Sequence, residues 1–129
     1  MSPGLMLWLA AGLCLVLGLV HSLLGEYMLM RHLPGVQGLP LFRGSPDLPR
    51  QTIRITWHIT SLLAWAITAI LARLAALPGL GATEIFILQI LALCFFACFL
   101  VALIGTRGRH PSWLAFLILA LLCLLATRG

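Results

Sequence analysis

Long apolar runs alternate with short polar stretches along the chain. Four runs can be distinguished, at about residues 5–24, 55–77, 85–104 and 111–126. A helix that crosses the hydrocarbon core of a bilayer needs roughly 20 residues, so the first three runs are long enough and the fourth is short. Backbone groups in hydrocarbon have to be satisfied within the protein, and no run shows the alternation of a barrel strand. Each run therefore predicts an α-helix.

The connections between these runs differ in length. Residues 31–52 contain four Pro and three Gly, which predicts a long loop rather than a helix. The other two connections, LPGLGATE and GTRGRHPSW, are short. Since short connections make consecutive helices antiparallel neighbours, the pattern predicts an all-α integral membrane protein. Its expected architecture is a single domain, residues 1–129, folded as an up-down-up-down four-helix transmembrane bundle.

Composition supports the membrane prediction. Hydrophobic residues make up 62% of the chain and charged residues 9%, whereas soluble domains have about 25% charged residues. This excludes an ordinary soluble domain. It also means that the net charge of +5 indicates membrane topology and not a nucleic-acid partner.

Basic residues are unevenly distributed between the two predicted sides of the membrane. All of them are Arg, and Arg73 and Arg128 fall on one side. The other side carries the remaining six, Arg31, Arg43, Arg50, Arg54, Arg107 and Arg109. Because cytoplasmic loops are enriched in basic residues, we expect a cell inner membrane protein with its long loop in the cytoplasm and both termini outside.

Three histidines fall near the same predicted membrane face. His21, His58 and His110 lie at the ends of three different helices, and Glu26 is close to the same level. Neutral imidazole is the commonest metal ligand and suits Fe, Zn, Mn and Cu. These four residues are therefore the predicted ligands of a transition-metal site. Glu26 lies five residues after His21, about 140° around a regular helix, so it is expected to orient an imidazole or pair with Arg54 if it does not bind the ion.

Two stripes of residues indicate which helix faces point inward. Small residues that recur every three or four positions let helices approach closely, and the first run has such a stripe that includes His21: Ala11, Cys14, Gly18, His21 and Gly25. The second run has a comparable stripe that includes His58: Arg54, His58, Ser61, Trp65, Thr68 and Ala72. Both histidines are expected to face the bundle interior.

A b-type haem is an alternative cofactor for the same residues. His21 and His58 would be its two axial ligands. Gly18, Ser22 and Gly25 would leave room for the porphyrin, and its propionates would bind Arg54, Arg107 and Arg109.

Structural roles compete with these chemical ones. An imidazole about one turn inside the interface can keep its nitrogens in water, and His110 precedes the helix-opening Pro111, where it would cap a helix. Gln89, in the third run, is expected to form a hydrogen bond between helices. The chain has no P-loop, dinucleotide-binding glycine fingerprint, HExxH motif or nucleophile elbow.

The residues leave three function classes open, and whether the protein is an enzyme stays undecided. The first is a histidine-lined metal or haem protein with redox or oxidative chemistry. The second is a non-catalytic accessory or assembly subunit that binds a membrane or cytoplasmic partner. The third is a small ion, proton or metabolite transporter, which would require an oligomer, since one four-helix chain hardly encloses a pore.

Overall fold

The computed structural model of the protein describes residues 1–32, 41 and 44–128, and everything in these ranges that is regular is helical. A π-helical turn, Glu26–Met30, directly follows the first helix. The α-helices are α1 (Pro3–Gly25), α2 (Asp47–Ala75), α3 (Ala82–Thr106) and α4 (Ser112–Ala126). The all-α prediction is confirmed for the described residues.

Three of these segments are long and apolar enough to cross a membrane. They are α1 with its π-helical turn (28 residues), α2 (29 residues) and α3 (25 residues). Helix α4 has 15 residues and is about 22 Å long, which is less than the roughly 30 Å of a hydrocarbon core. The predicted membrane class is thus supported by three helices, while a fourth span and the up-down-up-down topology stay predictions.

Helix α2 begins earlier than the sequence pattern predicts. It starts at Asp47, within the stretch predicted as a loop, and the backbone N–H of Asp47 donates to Ser45 Oγ at 3.1 Å. Pro49 does not prevent this, because the first four N–H groups of a helix have no intrahelical acceptor and a proline there costs nothing. The rest of the predicted loop, residues 33–40 and 42–43 with Arg43, lies outside the described residues.

The π-helical turn ends the first helical segment. The N–H of Arg31 donates to the carbonyl of Glu26 at 3.1 Å, a bond that spans five residues where an α-helix spans four. The guanidinium of Arg31 lies 5.3 Å from the centre of the Tyr27 ring, close enough for a cation–π contact. The turn therefore places Glu26 at the exact point where helical geometry changes.

The chain divides into two compact units. One contains residues 1–14 and 67–129, and the other contains residues 15–66. The division falls inside α1 and α2, and the prediction of a single domain over residues 1–129 stays a prediction.

The first unit has a core of leucines and small residues. Leu7, Leu71, Leu88 and Leu119 are fully buried. Small buried residues accompany them on each helix: Ala10, Ala11 and Cys14 on α1, Ala75 on α2, Ala92 on α3, and Ala120, Cys123 and Ala126 on α4. Small residues at these positions let helix backbones approach closely, which is how membrane helices gain packing energy without a hydrophobic driving force.

A tight reversal joins α3 to α4. Arg107 ends α3 with φ 51° and ψ 39°, and Gly108 follows with φ 72°. The N–H of Gly108 donates to the carbonyl of Leu103 at 2.8 Å, which satisfies a terminal carbonyl of the helix as in a Schellman motif. The Trp113 indole N–H then donates to the Gly108 carbonyl at 3.3 Å, so the first turn of α4 is fastened to the reversal.

Arg107→Gly should stabilise the protein. A non-glycine residue pays roughly 1–2 kcal/mol for left-handed backbone geometry, and part of this gain is offset by the greater freedom of glycine in the unfolded chain. We expect the free energy of unfolding in micelles to rise by about 0.5–1 kcal/mol. Arg107→Ala, which removes the same charge but keeps the Cβ, is the control and should give no gain. Equal effects of the two substitutions would contradict backbone strain at this residue.

Candidate functional site

A polar cluster in the second unit joins the end of α1 to α2, and Glu26 is at its centre. One carboxylate oxygen, Oε1, accepts a hydrogen bond from Arg54 Nη2. The other, Oε2, lies 3.2 Å from His58 Nε2. Arg54 and His58 are four residues apart on α2 and so share one helix face. One carboxylate thus fastens two consecutive turns of α2 to the end of α1.

His58 uses both ring nitrogens. Its Nε2 faces Glu26, and its Nδ1 lies 3.2 Å from Ser22 Oγ. An ionised carboxylate only accepts hydrogen bonds, so Nε2 carries the hydrogen that Glu26 accepts. Nδ1 then accepts from the Ser22 hydroxyl when the ring is neutral, and donates to the same oxygen when the ring is protonated. Either charge state of His58 fits this arrangement.

His21 contacts a different part of α2. Its ring stacks on the Trp57 indole, with ring centres 4.1 Å apart and planes 8° from parallel, and the indole N–H donates to the His21 carbonyl at 2.8 Å. His21 Nε2 lies 2.9 Å from Thr60 Oγ1. Because Thr60 gives its single hydroxyl hydrogen to the Trp57 carbonyl at 2.7 Å, His21 is the donor in this bond.

Glycines on α1 make room for two tryptophans of α2. A Cβ on Gly18 would lie 2.6 Å from Trp65 Nε1, and a Cβ on Gly25 would overlap the Trp57 indole. In the haem hypothesis these glycines leave room for a porphyrin, but indoles fill that space. The structure therefore offers no gap for haem between these two stretches.

The contact pairs also give the relative direction of the two helices within this unit. Gly18 meets Trp65 and Gly25 meets Trp57, so residue numbers fall along α2 as they rise along α1. Residues 15–30 and 47–66 therefore run antiparallel. The inward orientation of the α1 stripe is confirmed here, because Gly18 is buried and His21 is half-buried.

The three-histidine metal site has no support in the structure. Among residues 1–32, 41 and 44–128, no group of three or more His, Cys, Asp or Glu side chains could hold a metal ion. His21 and Glu26 contact different partners on α2, as their 140° separation on a regular helix requires. Of the predicted ligands, only Glu26 and His58 contact each other, and the alternative role for Glu26, pairing with Arg54 and orienting an imidazole, is present in full.

The remaining predicted residues lie in the first unit. His110 Nδ1 accepts from the backbone N–H of Ser112 at 3.2 Å and lies 2.8 Å from its hydroxyl, so its ring caps the start of α4. Arg107 ends α3, and the N–H of Arg109 donates to the Thr106 carbonyl at 3.1 Å. All three are exposed. Their positions follow from the reversal between α3 and α4, and propionate binding by either Arg stays a prediction.

The three charged or titratable side chains of the cluster differ in their exposed fraction. The side chain of Glu26 is 24% exposed, that of His58 is 38% exposed and that of Arg54 is 60% exposed. Arg54 thus reaches outward while the carboxylate sits inside. Since exposed ion pairs contribute at most about 1 kcal/mol, the cluster specifies how the helices pair more than it stabilises them.

Sequence reasoning missed Ser22 and Trp57 as contact partners of the histidines, and it missed Thr60 entirely. A usable signal was present. Gly18 and Gly25 are seven residues apart, Trp57 and Trp65 are eight apart, and antiparallel helices bring such pairs together in reverse order. The similar spacing of the two glycines and the two tryptophans therefore indicates which α2 residues contact the α1 glycines.

Gly18→Ala should destabilise the protein. The new methyl group would displace the Trp65 indole or the Ala64 methyl group, 3.3 Å away, and overpacking of this kind costs about 1–3 kcal/mol. Gly12→Ala on the same helix is the control, because its Cβ meets nothing within 4 Å and alanine favours the helix. The two unfolding free energies are compared in one detergent. Equal values would contradict the close approach at Gly18.

Glu26 and Arg54 should be coupled energetically. A double-mutant cycle with Glu26→Gln and Arg54→Ala should give a coupling free energy of about 0.5–1 kcal/mol, the range for partly exposed ion pairs. Arg73→Ala replaces Arg54→Ala in the control cycle, since Arg73 lies nineteen residues further along α2, about 28 Å away. A control coupling as large as the test coupling would show a general charge effect and not a specific pair.

Comparison with known proteins does not assign a family. No family model, curated protein or solved structure matches this chain. The function proposed below therefore rests on the residues and contacts described above.

Proposed function

We propose that the protein is a non-catalytic accessory or assembly subunit of a membrane complex. The observation that carries this proposal is the closed state of the polar cluster. Both oxygens of Glu26 and both ring nitrogens of His58 are bonded to other side chains of the same unit. These bonds join the end of the first helical segment to α2, which supports a structural role for the cluster.

The tryptophans support the same conclusion. Trp57 and Trp65 occupy the spaces beside Gly25 and Gly18, which are the places where a cofactor or substrate would approach α1. With the gaps filled, the cluster acts as a clamp that sets the register of α1 against α2. A clamp of this kind gives a scaffold one defined surface to present to a partner.

The outward surfaces fit a lipid-embedded subunit. In the most apolar stretches of α2 and α3, only 11% and 17% of the residues are buried within the chain, so most of each stretch is available to lipid or to another membrane protein. Arg54 projects from the end where Glu26 lies. Under the positive-inside rule this end is cytoplasmic, in a cell inner membrane, with both termini outside.

A transition-metal site is the second candidate. It is favoured by one observation, the 3.2 Å separation of Glu26 Oε2 and His58 Nε2, which places a carboxylate and an imidazole side by side. Iron, zinc, manganese or copper would require both atoms to turn toward the ion. It would also require further ligands, with His21 the nearest candidate in sequence.

His58→Gln separates the two candidates. A glutamine amide can donate to Glu26 and accept from Ser22, so it preserves the clamp, whereas it is a poor ligand for a transition metal. We expect the wild type and the variant to migrate in the same high-mass complex, with equal yields, when membranes of the source organism are solubilised in mild detergent. Metal and haem content should be far below one per chain in both proteins.

Two results would contradict the accessory role. The first is a wild-type protein that migrates alone, with no partner present in constant proportion by quantitative mass spectrometry. The second is a metal or a Soret band present at one per chain in the wild type and lost in His58→Gln while the variant still folds. That second result would establish the metal or haem candidate instead. Gly12→Ala is the matched control variant, because the added methyl group meets no other atom within 4 Å. It is expected to behave like the wild type in the same purification.

A further inference from the structure

Gln89 is a polar residue in an apolar helix. It lies on α3, the segment with the highest mean hydropathy of the three candidate spans, 2.9, and its side chain is exposed. The sequence predicts an interhelical hydrogen bond for it. Within the part of the chain that the structure describes, however, no hydrogen bond of the Gln89 side chain is formed.

The position of Gln89 makes this unpaired amide costly. It is five residues past Glu84, about 7.5 Å along the helix axis, and is followed by an uninterrupted apolar stretch. Hydrocarbon offers neither donors nor acceptors, so an amide there pays the full cost of losing its water. Lipid tails can cover the apolar neighbours of Gln89 but cannot satisfy the amide itself.

An apolar groove between α3 and α4 is lined in part by Gln89. Gln89, Ala92 and Phe96 line one wall, and Ala120 and Leu121 contribute to the other. The alanines keep the groove deep, and its volume is about 350 Å³. Small residues at the base of a groove with a polar group on its rim are the features that membrane helices use to associate.

A second copy of the chain is the occupant that satisfies this amide most simply. A primary amide carries both donors and acceptors, so two identical amides can pair reciprocally. Two copies inserted with the same topology have their Gln89 residues at the same depth. A two-fold axis along the membrane normal therefore brings the two Gln89 side chains together. Any other partner would need its own polar group at that depth.

We propose that the α3–α4 groove is the interface of a homodimer in which the two Gln89 amides bond to each other. The proposal does not depend on the accessory role, because it rests on residues of the first unit and the accessory role rests on the cluster of the second. Either can fail without the other. The interface buries an amide that has no hydrogen bond within the described residues of one chain, and it covers the groove that this residue lines.

The full chain in phosphatidylcholine vesicles tests this interface. The sequence has no Lys, so an amine-reactive dye labels the N-terminus alone, and energy transfer between donor- and acceptor-labelled chains reports association as the protein-to-lipid ratio is varied. We expect a saturable dimer for the wild type. Gln89→Leu should raise the dissociation constant roughly tenfold, which corresponds to about 1.4 kcal/mol.

A matched pair of tryptophan substitutions tests the groove separately. Leu93 lines the groove and is 66% exposed, and Val101 is 73% exposed and lies about 120° from Gln89 around α3. Leu93→Trp should weaken the dimer about tenfold or more by blocking the groove, and Val101→Trp should leave it unchanged. Both positions face outward, so neither change disturbs the core, and thermal unfolding of each variant verifies this.

Three results would overturn the proposal. One is a wild-type chain that stays monomeric at every protein-to-lipid ratio. Another is a dimer whose dissociation constant is the same for the wild type and Gln89→Leu. The third is equal weakening by Leu93→Trp and Val101→Trp, which would place the interface elsewhere. If Gln89→Leu fails to fold, the tryptophan pair alone decides.

Discussion

The pairing of polar side chains between otherwise apolar helices governs how the end of the first helical segment meets α2. Glu26 accepts a hydrogen bond from Arg54 with one carboxylate oxygen and faces His58 with the other. The second ring nitrogen of His58 is in turn bonded to the Ser22 hydroxyl. Because these bonds join specific positions of the two segments, they favour the register of α1 against α2 that the structure shows. The tryptophan rings seated on Gly18 and Gly25 enforce the same register through shape. Polar pairing and packing thus act together on the pairing of residues 15–30 with residues 47–66.

Much of the secondary structure could be predicted from the sequence, because long apolar runs without strand alternation leave little choice other than a helix. Apolar runs of this length have to be helices, and the small-residue stripe of α1 does face inward. The start of α2 could not be predicted. Pro49 marks a loop in most contexts, but it falls in the first turn of a helix, where a missing N–H has no consequence. Whether a proline stands in such a turn depends on where the helix starts, which composition does not reveal.

The candidate site was predicted less completely, for a reason of geometry. Histidines at one depth do not meet unless their helices are rotated so that both side chains point to the same place. A stripe of residues at spacings of three and four determines the rotation of a helix only approximately. His58 and Glu26 met, whereas His21 turned to Trp57 and Thr60, and His110 bonded to its own helix start. A hydrogen bond to a nearby hydroxyl or backbone group needs only one partner, whereas a metal site needs several side chains from different helices at the same point. A histidine therefore forms such a hydrogen bond more readily than it joins a shared metal site. Gln89 is the opposite case, since the helix partner expected for it is not among the described residues of its own chain.

The π-helical turn after Gly25 carries a consequence for how the sequence can change. A wide turn of this kind is the shape that a helix adopts when it absorbs one additional residue without shifting what precedes it. Loss of one residue from positions 26–30 would convert the turn to ordinary helix, and because the turn accommodates that extra residue, Arg31 would keep about the direction that it has now. The same deletion from the regular part of α1 would instead rotate the residues after it by about 100°. The turn is therefore the place in the first helical segment where a change in chain length disturbs the neighbouring residues least.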